Sequence, residues 1–226
     1  MPIWNDEDRE KKAIMKLQIA LDGCSLEEAI ALVKKTEPYI DIVEVGTPLL
    51  FAEGMRVVSI MKNCFPEKEI LADMKIMDAG GYEIEEAYRR GADYATVLAV
   101  TDLATVDSCV KMADQYGKKV FADLICVGDI GEKVRQLEHY GIHGIAVHTG
   151  VDQQAYGRTP LDDLREVVKY REKAEVSVAG GINIHTIRDY IALKPDVMIA
   201  GGALCKAENP CEAARQLKDA ILHSVC

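Results

Sequence analysis

The stretch Leu71-Ala72-Asp73-Met74-Lys75-Ile76-Met77-Asp78-Ala79-Gly80-Gly81 places three charges where an apolar run is ending. Asp73 and Lys75 are two residues apart, so on a strand they share one face. Buried singly, each would cost several kcal/mol, so they must form a network with one another and with other polar groups. A network of Asp, Lys and Asp at a strand end is one way to build a polar active site. A solvated ion pair is the simpler reading of an isolated Asp-x-Lys. Further chemistry-bearing residues along the chain weigh against it: Asp22, Glu44, Asp123 and His148 each close a short apolar segment, as do the glycine pairs Gly180-Gly181 and Gly201-Gly202.

The elements that must position these residues repeat one unit, an apolar strand followed by a turn and an amphipathic helix. Strands are predicted over 16–21, 40–45, 69–74, 94–98, 119–123, 144–148, 175–178 and 196–200. Helices are predicted over 25–35, 48–62, 82–90, 103–116, 130–140, 160–173, 183–193 and 209–223. The breaks at Gly91-Ala92-Asp93, Gly141-Ile142-His143 and Pro195-Asp196 return the chain from helix to strand. Continuously apolar strands, each followed by a helix, imply a parallel sheet covered on both faces. Eight units in 226 residues fit an α/β fold of the (β/α)8 TIM-barrel type better than an open doubly wound sheet. One barrel domain is therefore expected over 1–226, with residues 1–15 as an extension.

In such a barrel the chemistry sits at the C-terminal ends of the strands, where the residues named above fall. The loops after the last two strands, Ala179-Gly180-Gly181-Ile182 and Ala200-Gly201-Gly202-Ala203, are suited to binding phosphate through backbone N–H groups. A missing Cβ lets the backbone approach an anion closely. Glu44 and Asp73 offer the hard oxygens that Mg²⁺ prefers, although two carboxylates do not by themselves define a metal site.

Composition narrows the function classes. Hydrophobic residues make up 49% and charged residues 28%, enough for one substantial core. The net charge of -10 argues against binding to a nucleic-acid backbone. The seven cysteines show neither C-x-x-C spacing nor Cys/His clusters, as expected for reduced thiols in the cytoplasm rather than a structural zinc. No apolar run is long enough to span a membrane, and the charged N-terminus has no signal-peptide core. Residues 5–15 could form a short charged helix anchored by Trp4, the sole tryptophan.

From about Lys16 onward the chain resembles 3-hexulose-6-phosphate synthases, members of the orotidine-monophosphate decarboxylase superfamily of phosphate-binding barrels. The resemblance is carried by Leu71 to Gly81, Ala20-Leu21-Asp22, Val43-Glu44-Val45-Gly46-Thr47, Val147-His148-Thr149-Gly150 and Ala179-Gly180-Gly181. It implies aldol addition of D-ribulose 5-phosphate to formaldehyde, giving D-arabino-hex-3-ulose 6-phosphate through a Mg²⁺-stabilised enediolate. By the same resemblance Glu44 and Asp73 would bind Mg²⁺, and Asp22, Lys75 and Asp78 would complete the ionic network. Gly180, Gly181, Gly201 and Gly202 would line the phosphate site, Asp123 would contact substrate hydroxyls, and His148 would move the proton. An imidazole titrates near neutral pH, which suits that step. Asp78 would act across a two-fold interface in the neighbouring subunit of a homodimer.

The alternatives differ at particular positions. The related 3-keto-L-gulonate-6-phosphate decarboxylases share the Asp-x-Lys-x-x-Asp strand, but their pattern has arginines where this chain has Val151 and Gly202. Orotidine-monophosphate decarboxylase shares the Asp/Lys network but needs no metal, and Glu44 and His148 argue against it. Ribulose-phosphate 3-epimerase would want metal-binding histidines on its early strands, whereas all five histidines lie at 139 or later. A non-catalytic sugar-phosphate-binding barrel would account for the glycine loops but not for the charged rim.

Overall fold

The computed structural model describes residues 15–223. The charged helix expected near the N-terminus and its Trp4 anchor thus lie outside the described residues, save Met15. Eight parallel strands close into a barrel in chain order. They are β1 (Lys16–Leu21), β2 (Ile42–Val45), β3 (Glu69–Ile76), β4 (Tyr94–Leu98), β5 (Lys119–Asp123), β6 (Gly144–His148), β7 (Glu175–Ala179) and β8 (Val197–Ala200). The main covering helices are α1 (Leu26–Thr36), α2 (Thr47–Glu53), α3 (Arg56–Cys64), α4 (Gly80–Arg89), α5 (Leu103–Tyr116) and α6 (Ile130–His139). After β6 come the short α7 (Val151–Gln154) and then α8 (Leu161–Tyr170); the chain ends with α9 (Ile187–Ile191), α10 (Gly202–Cys205) and α11 (Pro210–Leu222).

Strand alternation sorts the side chains. On β1, Leu17, Ile19 and Leu21 pack outward against the helices, while Gln18 and Ala20 face the barrel interior. Ala20, Ile42, Leu71, Tyr94, Phe121, Val197 and Ile199 fill the middle of the barrel. Burial of Leu71 or Phe121 there contributes about 1.5–3 kcal/mol each. Gly144 makes room for this layer: a Cβ on it would lie 2.4 Å from the Phe121 ring. At the lower end the Lys16 ammonium reaches Glu69 at 2.6 Å and the Tyr94 hydroxyl at 3.2 Å, and Lys119 pairs with Glu175. These ion pairs close the floor of the barrel, leaving its C-terminal mouth for chemistry.

Two expected elements change. The single helix predicted over 48–62 is broken into α2 and α3, because Gly54 takes φ 67° between them. The helix predicted over 183–193 contracts to α9, since Asn183 and Thr186 tie the preceding residues into a turn: the Asn183 N–H donates to the Thr186 hydroxyl at 3.0 Å. Among the described residues Cys24, Cys64, Cys109, Cys126, Cys205 and Cys211 are free thiols.

The largest local irregularity is in β3. Ala72 pairs with Ala95 and Ile76 with Val97, so three residues of β3 stand opposite Thr96 alone. This bulge puts Lys75 at φ 49°, a left-handed conformation costing a non-glycine residue about 1–2 kcal/mol. The Lys75 N–H donates to the Thr96 hydroxyl at 3.0 Å, so the irregular turn keeps its donor satisfied.

Candidate active site

At the mouth of the barrel, side-chain contacts link β1 to β2 and, separately, β3 through β6. Asp73 is buried and fully engaged: its Oδ1 accepts from Thr96 Oγ1 at 2.8 Å, and its Oδ2 from Thr47 Oγ1 at 2.8 Å and Lys75 Nζ at 2.5 Å. Lys75 Nζ also lies 3.1 Å from Asp123 Oδ2. That same oxygen is 2.9 Å from His148 Nδ1, while Asp123 Oδ1 accepts the Ile125 N–H at 2.8 Å. One continuous chain therefore runs Thr47, Asp73, Lys75, Asp123, His148 over the ends of β3, β5 and β6 and the start of α2. Glu44 sits beside it, buried, with Oε2 accepting from Gln18 Nε2 at 2.6 Å.

The arrangement gives His148 a defined role. Asp123, as an ionised acceptor, favours the tautomer with a proton on Nδ1, which leaves Nε2 with a lone pair. Burial works against the Asp123 carboxylate, but the His148 hydrogen bond, the charges of His148 and Lys75, and the Ile125 amide outweigh it and hold its pKa below the ordinary value. Burial likewise opposes the Lys75 ammonium, yet Asp73 and Asp123 overcome it and raise its pKa. Lys75 is thus a fixed cation in this cluster.

Glu44 shows the opposite balance. Burial, followed by the charges of Asp73 and Asp22, raises its pKa well above that of an ordinary glutamate, against smaller opposing effects from Gln18 and Lys75. Desolvation at the mouth and the Asp73 charge also raise Asp22. These three carboxylates crowd one side of the mouth beside a single cation, Lys75, and burial with mutual repulsion pushes Glu44 and Asp22 toward their neutral forms. Among the described residues no three or more His, Cys, Asp or Glu side chains form a preformed metal cage. Mg²⁺ is ordinarily held by one or two carboxylates, with substrate oxygens and water completing its shell. Glu44 and Asp73 fit it by donor type, and a bound cation would favour the ionised form of Glu44.

Of the four glycines, two require their residue type. Gly180 has φ 125°, and a Cβ on it would lie 2.9 Å from the Thr149 carbonyl; Gly181 has φ 71°. Gly201 has φ -97° and precedes α10, whose first residue, Gly202, borders open space. First-turn N–H groups of a helix lack intrahelical acceptors, so this turn presents amides at the mouth.

The sequence-predicted residues thus divide. Asp73, Lys75, Asp123 and His148 are joined directly; Glu44 and Asp22 are coupled to them through charge. Asp78 stands apart, exposed, its Oδ1 accepting the Ala79 N–H at 2.7 Å. Asp123, which the resemblance gave to substrate hydroxyls, is committed to His148 and Lys75 here. Gln18, Thr47 and Thr96 were not singled out beforehand. Gln18 shares the inward parity of Ala20 and could have been found that way, whereas the Thr47 and Thr96 contacts depend on how the strand ends meet.

A closed parallel barrel with its acid–base cluster and glycine loops at the C-terminal mouth defines the class, a phosphate-binding type of (β/α)8 enzyme. The family follows: residues 15–217 match the model for the Orotidine 5'-phosphate decarboxylase / HUMPS family, and the chain belongs to it. It is 44% identical to the 3-hexulose-6-phosphate synthase of Staphylococcus haemolyticus, over 92% of this chain and 99% of the relative. The solved 3-hexulose-6-phosphate synthase of Salmonella typhimurium superposes with a TM-score of 0.91 at 48% identity, covering 93% of this chain and all of that one. The solved 3-keto-L-gulonate-6-phosphate decarboxylase of Vibrio cholerae gives a TM-score of 0.83 at 31% identity, covering 93% and 99%. Among the described residues no helix is long and apolar enough to cross a membrane.

Proposed function

We propose that this enzyme adds D-ribulose 5-phosphate to formaldehyde, forming D-arabino-hex-3-ulose 6-phosphate. The observation that carries this reading is the His148–Asp123–Lys75 chain, with a 2.9 Å contact at the imidazole and a 3.1 Å contact at the ammonium. The difficult step is loss of a proton from C1 of the sugar, beside the C2 ketone. His148 Nε2 takes that proton, and Asp123 stabilises the imidazolium that forms. Lys75 places a fixed positive charge near the oxygens that become negative in the enediolate. When bound by Glu44 and Asp73, Mg²⁺ supplies Lewis-acid stabilisation of the same developing charge. C1 of the enediolate then forms a bond to the formaldehyde carbon, and the new alkoxide is protonated by the His148 imidazolium. The glycine loops after β7 and β8 hold the phosphate and thereby fix the distance of C1 from His148.

The reading includes a cytoplasmic homodimer in which Asp78 reaches the neighbouring subunit's site. It is supported by the exposed apolar side chains on either side of Asp78 in the chain, Met77 at 53% and Tyr82 at 74%. The test is Mg²⁺-dependent consumption of formaldehyde with ribulose 5-phosphate, run beside CO₂ release from 3-keto-L-gulonate 6-phosphate. Faster CO₂ release than formaldehyde consumption would replace the synthase reading with the decarboxylase one.

A further inference from the structure

The glycine loops after β7 and β8 offer a phosphate backbone amides but no side-chain cation, since Gly180, Gly181, Gly201 and Gly202 supply none. A phosphate dianion held by backbone alone gives up the charge-assisted bonds that arginine makes best. The segment after His148 folds directly against these loops. Gln154 Nε2 donates to the Thr149 carbonyl at 2.8 Å, and a Cβ on Gly181 would lie 3.7 Å from Gln154 Oε1. A Cβ on Gly180 would lie 3.4 Å from Pro160 Cδ. Residues 154 and 160 thus bracket the glycine pair. Arg158 lies between them, two residues from Pro160, a span of at most about 7 Å.

Arg158 is also uncommitted. Except for Arg188, every other described arginine holds a carboxylate within 4.0 Å. Arg188 sits on α9 and lines a groove with Ile184 and the α11 residues Gln216 and Asp219. Arg158 is exposed and makes no ion pair among the described residues; Asp163 feels its charge without contacting it. The backbone around Arg158 is positioned nonetheless: its own N–H donates to the Gln153 carbonyl at 3.4 Å, and Gly157 turns the chain at φ 78°.

We propose that Arg158 is the cationic ligand of the substrate phosphate, brought over the Gly180-Gly181 loop by the segment that follows His148. The proposal rests on reading the substrate as a sugar phosphate. One basic residue competes for the role, Lys206, at the far end of the α10 turn from Gly202.

The experiment measures binding of inorganic phosphate and ribulose 5-phosphate calorimetrically, and KM and kcat, for wild type, R158A, R158K and K206A. R158A should weaken both ligands by roughly 10- to 100-fold and raise the sugar-phosphate KM in parallel, with kcat within about threefold. R158K should recover part of that loss, and K206A should bind like wild type. Unchanged affinities in R158A overturn the assignment, as does a loss confined to K206A. A wild type that binds ribulose 5-phosphate without consuming formaldehyde refutes the proposed reaction, while the binding comparison still decides on Arg158. A wild type that binds neither phosphate ligand refutes both.

Discussion

Replacing Asp123 with asparagine separates two roles for the same residue, orienting His148 or contacting substrate hydroxyls. The carboxylate takes three donors, from His148 at 2.9 Å, Lys75 at 3.1 Å and the Ile125 N–H at 2.8 Å. An amide has one acceptor end and one donor end, so it cannot serve all three. With its oxygen toward His148 and Lys75, its NH₂ meets the Ile125 N–H in a buried site, at a cost of about 1–3 kcal/mol. With its NH₂ toward His148, the imidazole must accept at Nδ1 and carry its proton on Nε2, which removes the base. Loss of a positioned general base costs on the order of 10² to 10⁴ in rate. Solvent-deuterium exchange at C1 of saturating ribulose 5-phosphate, without formaldehyde, reads proton removal alone. D123N should slow this exchange by roughly 10² or more, with the sugar-phosphate Kd changed only a few-fold. Near-native exchange with a large rise in Kd would refute the orienting role and return Asp123 to the substrate. The thermal melt of D123N, run alongside, reports the cost of the buried donor clash.

Glu44→Gln should abolish turnover and Mg²⁺ dependence while raising the metal-free Tm; unchanged turnover would remove Glu44 from the metal site. The sign follows from its raised pKa. Folded Glu44 retains a proton the unfolded chain has lost, so its contribution to metal-free stability declines as pH rises above the ordinary glutamate value, about 4.3. Asp93 behaves oppositely: burial would raise its pKa, but Lys118, the Ile70 N–H and Lys62 outweigh burial and lower it. Its contribution is complete above the ordinary aspartate value, about 3.9, and is lost as pH falls through its lower folded pKa, so Asp93→Asn should flatten acid unfolding in that range. Asp78→Asn and Asp73→Asn should each be nearly inactive, yet co-refolding equal amounts should restore about a quarter of wild-type sites, because half the dimers are mixed and each carries one intact site. Inactive mixtures in which heterodimers are shown to form would exclude action across the interface.

The barrel was legible because its signals are local and repeated. Apolar strands and helices with one apolar face recur eight times, punctuated by the breaks at Gly91, Gly141 and Pro195, and such a pattern has few ways to bury itself. The same logic put Asp22, Glu44, Asp73, His148 and the glycine pairs at strand ends, and therefore at one mouth. Chain periodicity carries no information on which strand-end groups touch. The contact of Lys75 with both Asp73 and Asp123 depends on a bulge that suspends strand alternation, and nothing in Asp-Met-Lys announces a left-handed lysine. Asp123 and His148 are 25 residues apart and meet only because β5 and β6 are neighbours in a closed sheet. Whether a carboxylate is ionised, as at Asp123, or pushed toward neutrality, as at Glu44, is set by burial and charges contributed by other strands. Residue types and the rim they share were thus determined by sequence; pairing, protonation and the freedom of Arg158 were decided by tertiary structure, because Coulombic and hydrogen-bonding energies depend on distances in space rather than along the chain.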